Sequence, residues 1–166
     1  RPRRPHVVVD LDGCDGPEAT RAALSAADHA IGGRAQLTEF VGDDEALVGA
    51  AVDHQVYLVV TDGPRGWTLL TPAGDRHDGE AITVDTVDAT GAGDCFAGTY
   101  CAELDRGTGP LEAARFAAVA AGISCTRPGA RDGMPRRETV TAYLRARSGP
   151  RPAVSPQPAH SQGEER

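Results

Sequence analysis

Apolar and polar positions alternate along the chain in short apolar runs and longer stretches of helical period. Val7-Val8-Val9, within His6–Leu11, is a β-branched run that suits a buried strand. Asp15-Gly16-Pro17 follows, with proline placed for a first helical turn. Glu18–Ala30 repeats alanine at helical spacing, which predicts a helix broken by Gly32-Gly33. Another helix is expected within Thr38–Val52, starting near Gly42-Asp43-Asp44. Val56–Thr61 is the strongest strand signal, and Asp62-Gly63-Pro64-Arg65-Gly66 is a turn from which Trp67–Thr71 returns as the second arm of a hairpin. Ala81–Val87 reads as a strand and Gly91–Asp105 as a helix. Leu111–Cys125 reads as a helix with an alanine-rich face, opened by Pro110 and stopped by Arg127-Pro128-Gly129. In the last helix, Glu138–Arg147, the residues Val140, Tyr143 and Leu144 form one apolar stripe.

Strands alternating with helices predict an α/β layered fold with a mostly parallel central sheet flanked by helices. One domain is expected over residues 1–147. Residues 148–166, with prolines at 150, 152, 156 and 158, have the composition of a disordered tail.

Composition refines this picture. The chain has 166 residues, 40% apolar and 25% charged, as a globular domain does. Its net charge of −7 disfavours nucleic acid and anionic membrane as partners. No run of apolar residues is long enough for a membrane span, and no signal peptide is visible. All 17 bases are arginine. Phosphate contacts must therefore come from arginine, a metal or backbone amides. Cys14, Cys95, Cys101 and Cys125 form no CxxC pair, which argues against zinc, and reduced thiols suit a cytoplasmic protein. The five histidines are dispersed and read as surface or helix-end residues. Asp10, Asp12 and Asp15 read as an acidic turn.

One segment carries chemistry. The Ile82–Val87 run leads into Asp88-Ala89-Thr90-Gly91-Ala92-Gly93-Asp94 and then into a helix. Gly91 and Gly93 lack a Cβ, so the backbone can bend and approach a ligand closely. The helix that follows points its free amides and positive dipole end at the loop, which makes an anion site from backbone alone. A carboxylate beside a phosphate is repulsive unless it works as a base. Asp94 would take the proton of a substrate hydroxyl as that oxygen attacks the γ-phosphate, while the amides of Ala92, Gly93 and Asp94 stabilise the transferring phosphoryl group. A plain glycine-rich strand–helix turn is the bland alternative. The loop matches neither G-x-x-x-x-G-K-[ST] nor G-x-G-x-x-G, and its place late in the chain disfavours a dinucleotide-binding module.

The loop resembles the D-T-x-G-A-G-D signature of the ribokinase-like (PfkB-type) carbohydrate kinases, and the likeness runs from about Val7 to Leu144. Val59-Val60-Thr61-Asp62-Gly63-Pro64-Arg65-Gly66 resembles the family's strand and T-x-G-x-x-G nucleotide turn. Arg115-Phe116-Ala117 through Thr126-Arg127-Pro128-Gly129-Ala130 resembles its adenine-side helix and following loop. The resemblance implies an ATP- and Mg2+-dependent kinase acting on an alcohol group of a sugar or related small molecule. It assigns Asp94 as base, Gly91, Ala92 and Gly93 as anion hole, and Thr61, Gly63, Gly66 and Ala118 as nucleotide contacts. It also implies a monovalent cation, K+, at Asp88, Thr90, Ser124, Arg127 and Gly129.

The departures from the family pattern shape the expectation. Gly33-Arg34-Ala35-Gln36 stands where the family has its magnesium-organising N-x-x-E. Ala118 replaces a larger polar residue, and Gly133 stands where a hydroxyl side chain is often found. The resemblance covers the C-terminal half of the family domain, without the N-terminal part and lid. That implies a truncated kinase working as a dimer or with a partner supplying the missing half, or a catalytically impaired pseudokinase that binds nucleotide or a partner.

Overall fold

The computed structural model describes residues 5–148; of the expected tail, residues 149–166 lie outside the described residues, and Ser148 is the last residue of a helix. A single five-stranded sheet in the order β1-β2-β3-β4-β5 organises the chain. The strands are β1 (Val8–Asp10), β2 (His29–Gly33), β3 (Tyr57–Thr61), β4 (Trp67–Leu70) and β5 (Arg76–Gly79). The first three are parallel, and β4 and β5 fold back antiparallel, which makes the sheet mixed. The helices are α1 (Pro17–Ala26), α2 (Arg34–Phe40), α3 (Asp44–Asp53), α4 (Ala92–Asp105), α5 (Pro110–Ser124) and α6 (Arg137–Ser148).

The sheet is sandwiched between two apolar layers. Leu58, Val60 and Leu70 face a core with Leu24 of α1, Leu37 of α2 and Leu47 of α3. Val59, Trp67 and Leu69 face the other way, onto Phe96, Tyr100, Ala113 and Ala117 of α4 and α5. The alternation along β3 and β4 follows from the two-residue period of a strand. A third cluster, with Cys95, Val119, Ala120 and Val140, seats α6 on α4 and α5. The alanine face of α5 is what lets α4 approach closely.

Several elements differ from the sequence reading. Ala27–Ala30 does not continue α1: the helix stops at Ala26, and His29–Gly33 is a strand between β1 and β3. Its residues are buried on both faces except Gly33, and apart from Ile31 none is β-branched, so tertiary pairing rather than a strand signal makes it a strand. Arg76–Gly79 is an unforeseen edge strand with charged side chains. Ala81–Val87 is not a strand. It runs along α5, where Ile82 occupies the space above Gly122, and a Cβ on Gly122 would stand 2.3 Å from Ile82 Cγ1. The amides of Val87 and Asp88 then donate to the Cys125 carbonyl at 2.8 and 3.1 Å. The helix expected to start near Gly42-Asp43-Asp44 is α3, capped by Asp43, whose carboxylate accepts the Ala46 amide; the short α2 ahead of it was not foreseen.

His29 also departs from expectation: it is 1% exposed. Its Nδ1 lies 2.9 Å from the Tyr100 hydroxyl and its Nε2 3.2 Å from His6 Nδ1, and its ring stacks on Tyr57. Burial, with His6 adding to it, lowers its pKa to about 4.

Candidate active site

Two clefts meet at the start of α4. The larger, of about 500 Å3, lies on the α4–α5 side of the sheet. It brings together Thr61, Gly63 and Gly66 from the β3–β4 turn, Ala92 and Gly93 from α4, and Ala118 from α5. These are segments far apart in sequence that the family likeness had grouped. Trp67, Ile82, Phe96, Gly122 and Cys125 also line it and were not singled out in the sequence. Trp67 follows Gly66 directly, but its role is legible only once Gly79 is seen beneath its ring: a Cβ on Gly79 would stand 2.2 Å from the indole.

The turn is shaped for close approach. Gly63 and Gly66 adopt positive φ of 52° and 104°, and a Cβ on Gly66 would stand 2.1 Å from the Gly79 carbonyl oxygen. The Thr61 hydroxyl donates to the Gly32 carbonyl at 3.4 Å, which ties the turn to β2.

The loop before α4 is built around Asp88. Its Oδ1 accepts the Thr90 amide at 2.9 Å and its Oδ2 accepts the Gly129 amide at 2.8 Å. The Gly129 amide first, then the Thr90 hydroxyl and amide, hold its pKa down at about 2. Gly91, with φ of 77°, caps α4, and a Cβ there would stand 2.8 Å from Ala130 Cβ. The Ala92 amide donates to the Ala89 carbonyl at 3.1 Å. The Gly93 and Asp94 amides come next in the first helical turn, ahead of the intrahelical ladder. Nothing lies within 4 Å of where a Gly93 Cβ would be, so that side of the turn is open.

Asp94 is exposed and lines a second cleft, of about 250 Å3, with Thr99, Met134 and Pro135. Gly93 and Asp94 are adjacent in sequence yet border different clefts, so the first turn of α4 forms the wall between them.

Ser124 and Gly129 converge on Gly133. A Cβ on Gly133 would stand 2.3 Å from the Ser124 carbonyl oxygen and 3.3 Å from that of Gly129. The Gly133 backbone therefore packs directly on these carbonyls, with no room for a side chain, and its amide donates to the Gly129 carbonyl at 3.2 Å. Carbonyl oxygens of this kind are hard donors, the type that suits a monovalent cation. Arg127 and Thr90 stand in the same two loops. Each Asp88 oxygen accepts one amide, which joins those loops and leaves each oxygen a second lone pair.

The Gly33–Gln36 stretch offers little to a divalent cation. Gly33 has no side chain, and its amide donates to Asp12 Oδ1 at 3.1 Å. Gln36 donates to the Cys14 carbonyl at 3.1 Å, and its Oε1 is buried without a hydrogen-bond partner. Arg34 turns to the α3 face of the sheet, where it pairs with Asp44 and lies 3.7 Å from Asp62. Asp10 caps the turn after β1 by accepting the Asp12 amide, as an acidic turn does. Among the described residues, no group of three or more His, Cys, Asp or Glu is placed to hold a metal, and no helix is long and apolar enough to cross a membrane.

The sequence profile of the pfkB family carbohydrate kinases matches residues 5–137. An ATP-dependent ribose-1-phosphate kinase of Halopiger xanaduensis is 32% identical over 126 residues, which cover 75% of this chain and 41% of that protein. A ribokinase of Lactococcus lactis is 36% identical over 94 residues, covering 53% and 29%. Among solved structures, Thermotoga maritima ribokinase superposes with a TM-score of 0.73 at 27% identity, covering 83% of this chain and 48% of that one. Arabidopsis thaliana ribokinase complexed with ribose and ATP gives 0.72 at 27% identity, covering 82% and 46%. The chain spans half or less of the length of each. The match over residues 5–137, on a ribokinase-like fold, places this chain in the pfkB family of carbohydrate kinases.

Proposed function

We propose that the chain carries the phosphoryl-transfer half of an ATP-dependent kinase whose acceptor is an alcohol group of a sugar or related small molecule. The observation that carries this reading is the wall between the two clefts. Gly93 opens onto the larger, apolar cleft and Asp94 onto the smaller. A nucleotide seated along Thr61, Gly63, Gly66 and Ala118 would bring its γ-phosphate to the first turn of α4. There the Gly93 and Asp94 amides favour the charge that develops on the phosphoryl oxygens. An acceptor hydroxyl arriving from the Asp94 side would give its proton to that carboxylate. Its oxygen bonds to the γ-phosphorus as the bond to the bridging β–γ oxygen breaks and ADP leaves.

Mg2+ would arrive with ATP, held mainly by phosphate oxygens and water, since Gly33 and Gln36 supply no charged ligand. K+ fits better: the Ser124 and Gly129 carbonyls, with those of Thr90 and Arg127, would hold it under the loop and steady the anion site. Free thiols and a need for ATP favour the cytoplasm.

Ribose and ATP in the Arabidopsis relative support the substrate class. The chain spans about half of such relatives, and the remaining sugar contacts would come from the half of the domain that these residues do not cover, whether it is joined to them or supplied by a second copy or partner. The β1 edge, paired on one side among the described residues, is where that half would join. A second reading, a nucleotide-binding pseudokinase, is favoured by the missing carboxylate at Gln36 and by Arg34 facing away from the cleft.

ATP binding with Mg2+, followed by phosphorylation assays on pentoses and hexoses with and without such a partner, tests the proposal. Turnover that disappears in Asp94→Asn while ATP binding persists supports the kinase. Binding without turnover in any combination leaves the pseudokinase. A chain that binds no nucleotide sinks both.

A further inference from the structure

On the sheet face opposite the nucleotide cleft, five side chains close a ring. Arg34 pairs with Asp44. The other Asp44 oxygen takes Arg76 Nη1 at 2.7 Å, and Arg76 Nε reaches Asp78 at 3.0 Å. Thr68 donates to Asp78 at 2.7 Å and accepts Arg34 Nη2 at 3.4 Å. A branch leaves the ring at Arg34 for Asp62, 3.7 Å away, which also holds Arg65 at 2.5 and 3.1 Å. Asp62 belongs to the cleft-lining turn, and its amide donates to the Gly66 carbonyl at 2.8 Å. The far side of the ring is β5, whose Gly79 underlies Trp67 and crowds Gly66. The ring therefore grips the Thr61–Gly66 turn from two sides without entering the cleft. The three aspartates all have lowered pKa values, with arginine hydrogen bonds the first cause in each, so the network is charged at neutral pH.

We infer that Arg34 is a positioning residue for nucleotide phosphate, acting through Asp62 on the Thr61–Gly66 turn. The inference rests on the nucleotide reading of the larger cleft. In place of a direct ligand beside the vacant Gly33 and Gln36 positions, the chain has a guanidinium whose planar fork joins α2, α3, β4 and the turn. A turn held in the bound shape loses less conformational freedom when the phosphates arrive.

Trp67 is the only tryptophan and lines the cleft, so its emission reports occupancy in the full chain. ATP with Mg2+ and adenosine are titrated into the parent, Arg34→Gln, Asp62→Asn and the double variant, with circular dichroism and melting temperature measured in parallel. Arg34→Gln is expected to weaken ATP about tenfold, the scale of a lost charged hydrogen-bond partner, while adenosine affinity stays within about twofold. The double variant should lose no more than the larger single loss, since both act on one path. Unchanged ATP affinity in Arg34→Gln overturns the inference, as does equal weakening of ATP and adenosine or a double loss equal to the product of the single ones. Should Arg34→Gln not fold, Asp44→Asn loosens the same guanidinium from an exposed position and must weaken ATP over adenosine; equal binding overturns the inference. A parent that binds neither ligand, by emission and by calorimetry, overturns the nucleotide reading and this inference together, whereas a parent that binds alongside an unaffected Arg34→Gln overturns only the latter.

Discussion

Asp88 and Gly129 are 41 residues apart in sequence, and the Asp88 carboxylate accepts the Gly129 amide at 2.8 Å. With the Thr90 amide on its other oxygen, this side chain fastens the loop before α4 to the loop after α5. The lowered pKa expresses the same bonds: the carboxylate form is the one the two amides require.

Replacing Asp88 with alanine should release both loops. Amide exchange at Gly129 and Thr90 should speed up, and, under the proposed kinase reading, phosphoryl transfer should fall by about 10- to 100-fold, as for other residues that orient a site. The folded-state pKa of about 2 lies below the unfolded value, so the contribution is present above about pH 4 and lost as pH falls through 2. Gly129 exchange measured against pH checks both points; protection that disappears already near pH 5 would contradict them.

Three glycines should separate shape from function. Gly133→Ala drives a Cβ onto the Ser124 carbonyl, and Gly122→Ala drives one onto Ile82, so each should destabilise by about 1–3 kcal/mol. Gly93→Ala meets nothing within 4 Å and should leave the melting temperature nearly unchanged. It should still weaken ATP, because the new methyl would occupy the open side of the turn where phosphate is proposed to sit. Thermal melts beside ATP titrations give the comparison.

Stability should also carry a histidine signature. His29 has its pKa lowered from 6.5 to about 4, so the unfolded chain binds the proton first. Its contribution is whole above about pH 6.5 and is lost progressively as pH falls toward 4, up to about 3 kcal/mol. His29→Gln should flatten that part of the curve in urea melts between pH 4 and 7. Tyr100→Phe removes the hydroxyl beside His29 Nδ1 and should cost about 1–3 kcal/mol at pH 7.

Glu103 lines the smaller cleft and offers a control outside the larger, nucleotide-sized one. Its carboxylate is buried and takes Arg137 at 2.8 and 3.1 Å and the Thr108 hydroxyl at 3.0 Å. Glu103→Ala should loosen α6 from α4, lowering the melting temperature while ATP affinity changes by less than about twofold.

The α/β class, the β3–β4 hairpin and helices α4 to α6 were legible in the sequence because their periods are strong and their ends carry proline or glycine. Asp88–Asp94 was legible because its glycines are needed locally. The rest depended on neighbours. His29–Gly33 lacks β-branched weight apart from Ile31 and becomes a strand only between two parallel partners. Ala81–Val87 has strand composition but no strand beside it, so it becomes a cleft wall. Arg34 could be seen as a new charge. Which face of the sheet it would take depended on Asp44, Thr68 and Asp62, brought together from three other elements. Burial of His29 was hidden for the same reason, since Tyr100 and Tyr57 come from distant segments.

The two margins of the sheet are unlike. On β5, Arg76 and Asp78 put charge along the rim. On β1, Val8 and Val9 are half-buried, and Val7 just before them is 46% exposed. Under the proposed reading, growth of the sheet would be polarised: a strand from another polypeptide would meet a desolvation cost at the β5 rim and apolar side chains at the β1 rim. If a complementing fragment completes the domain as proposed, the β1 side is where it would attach, and the charged β5 side is the safer place for a tag.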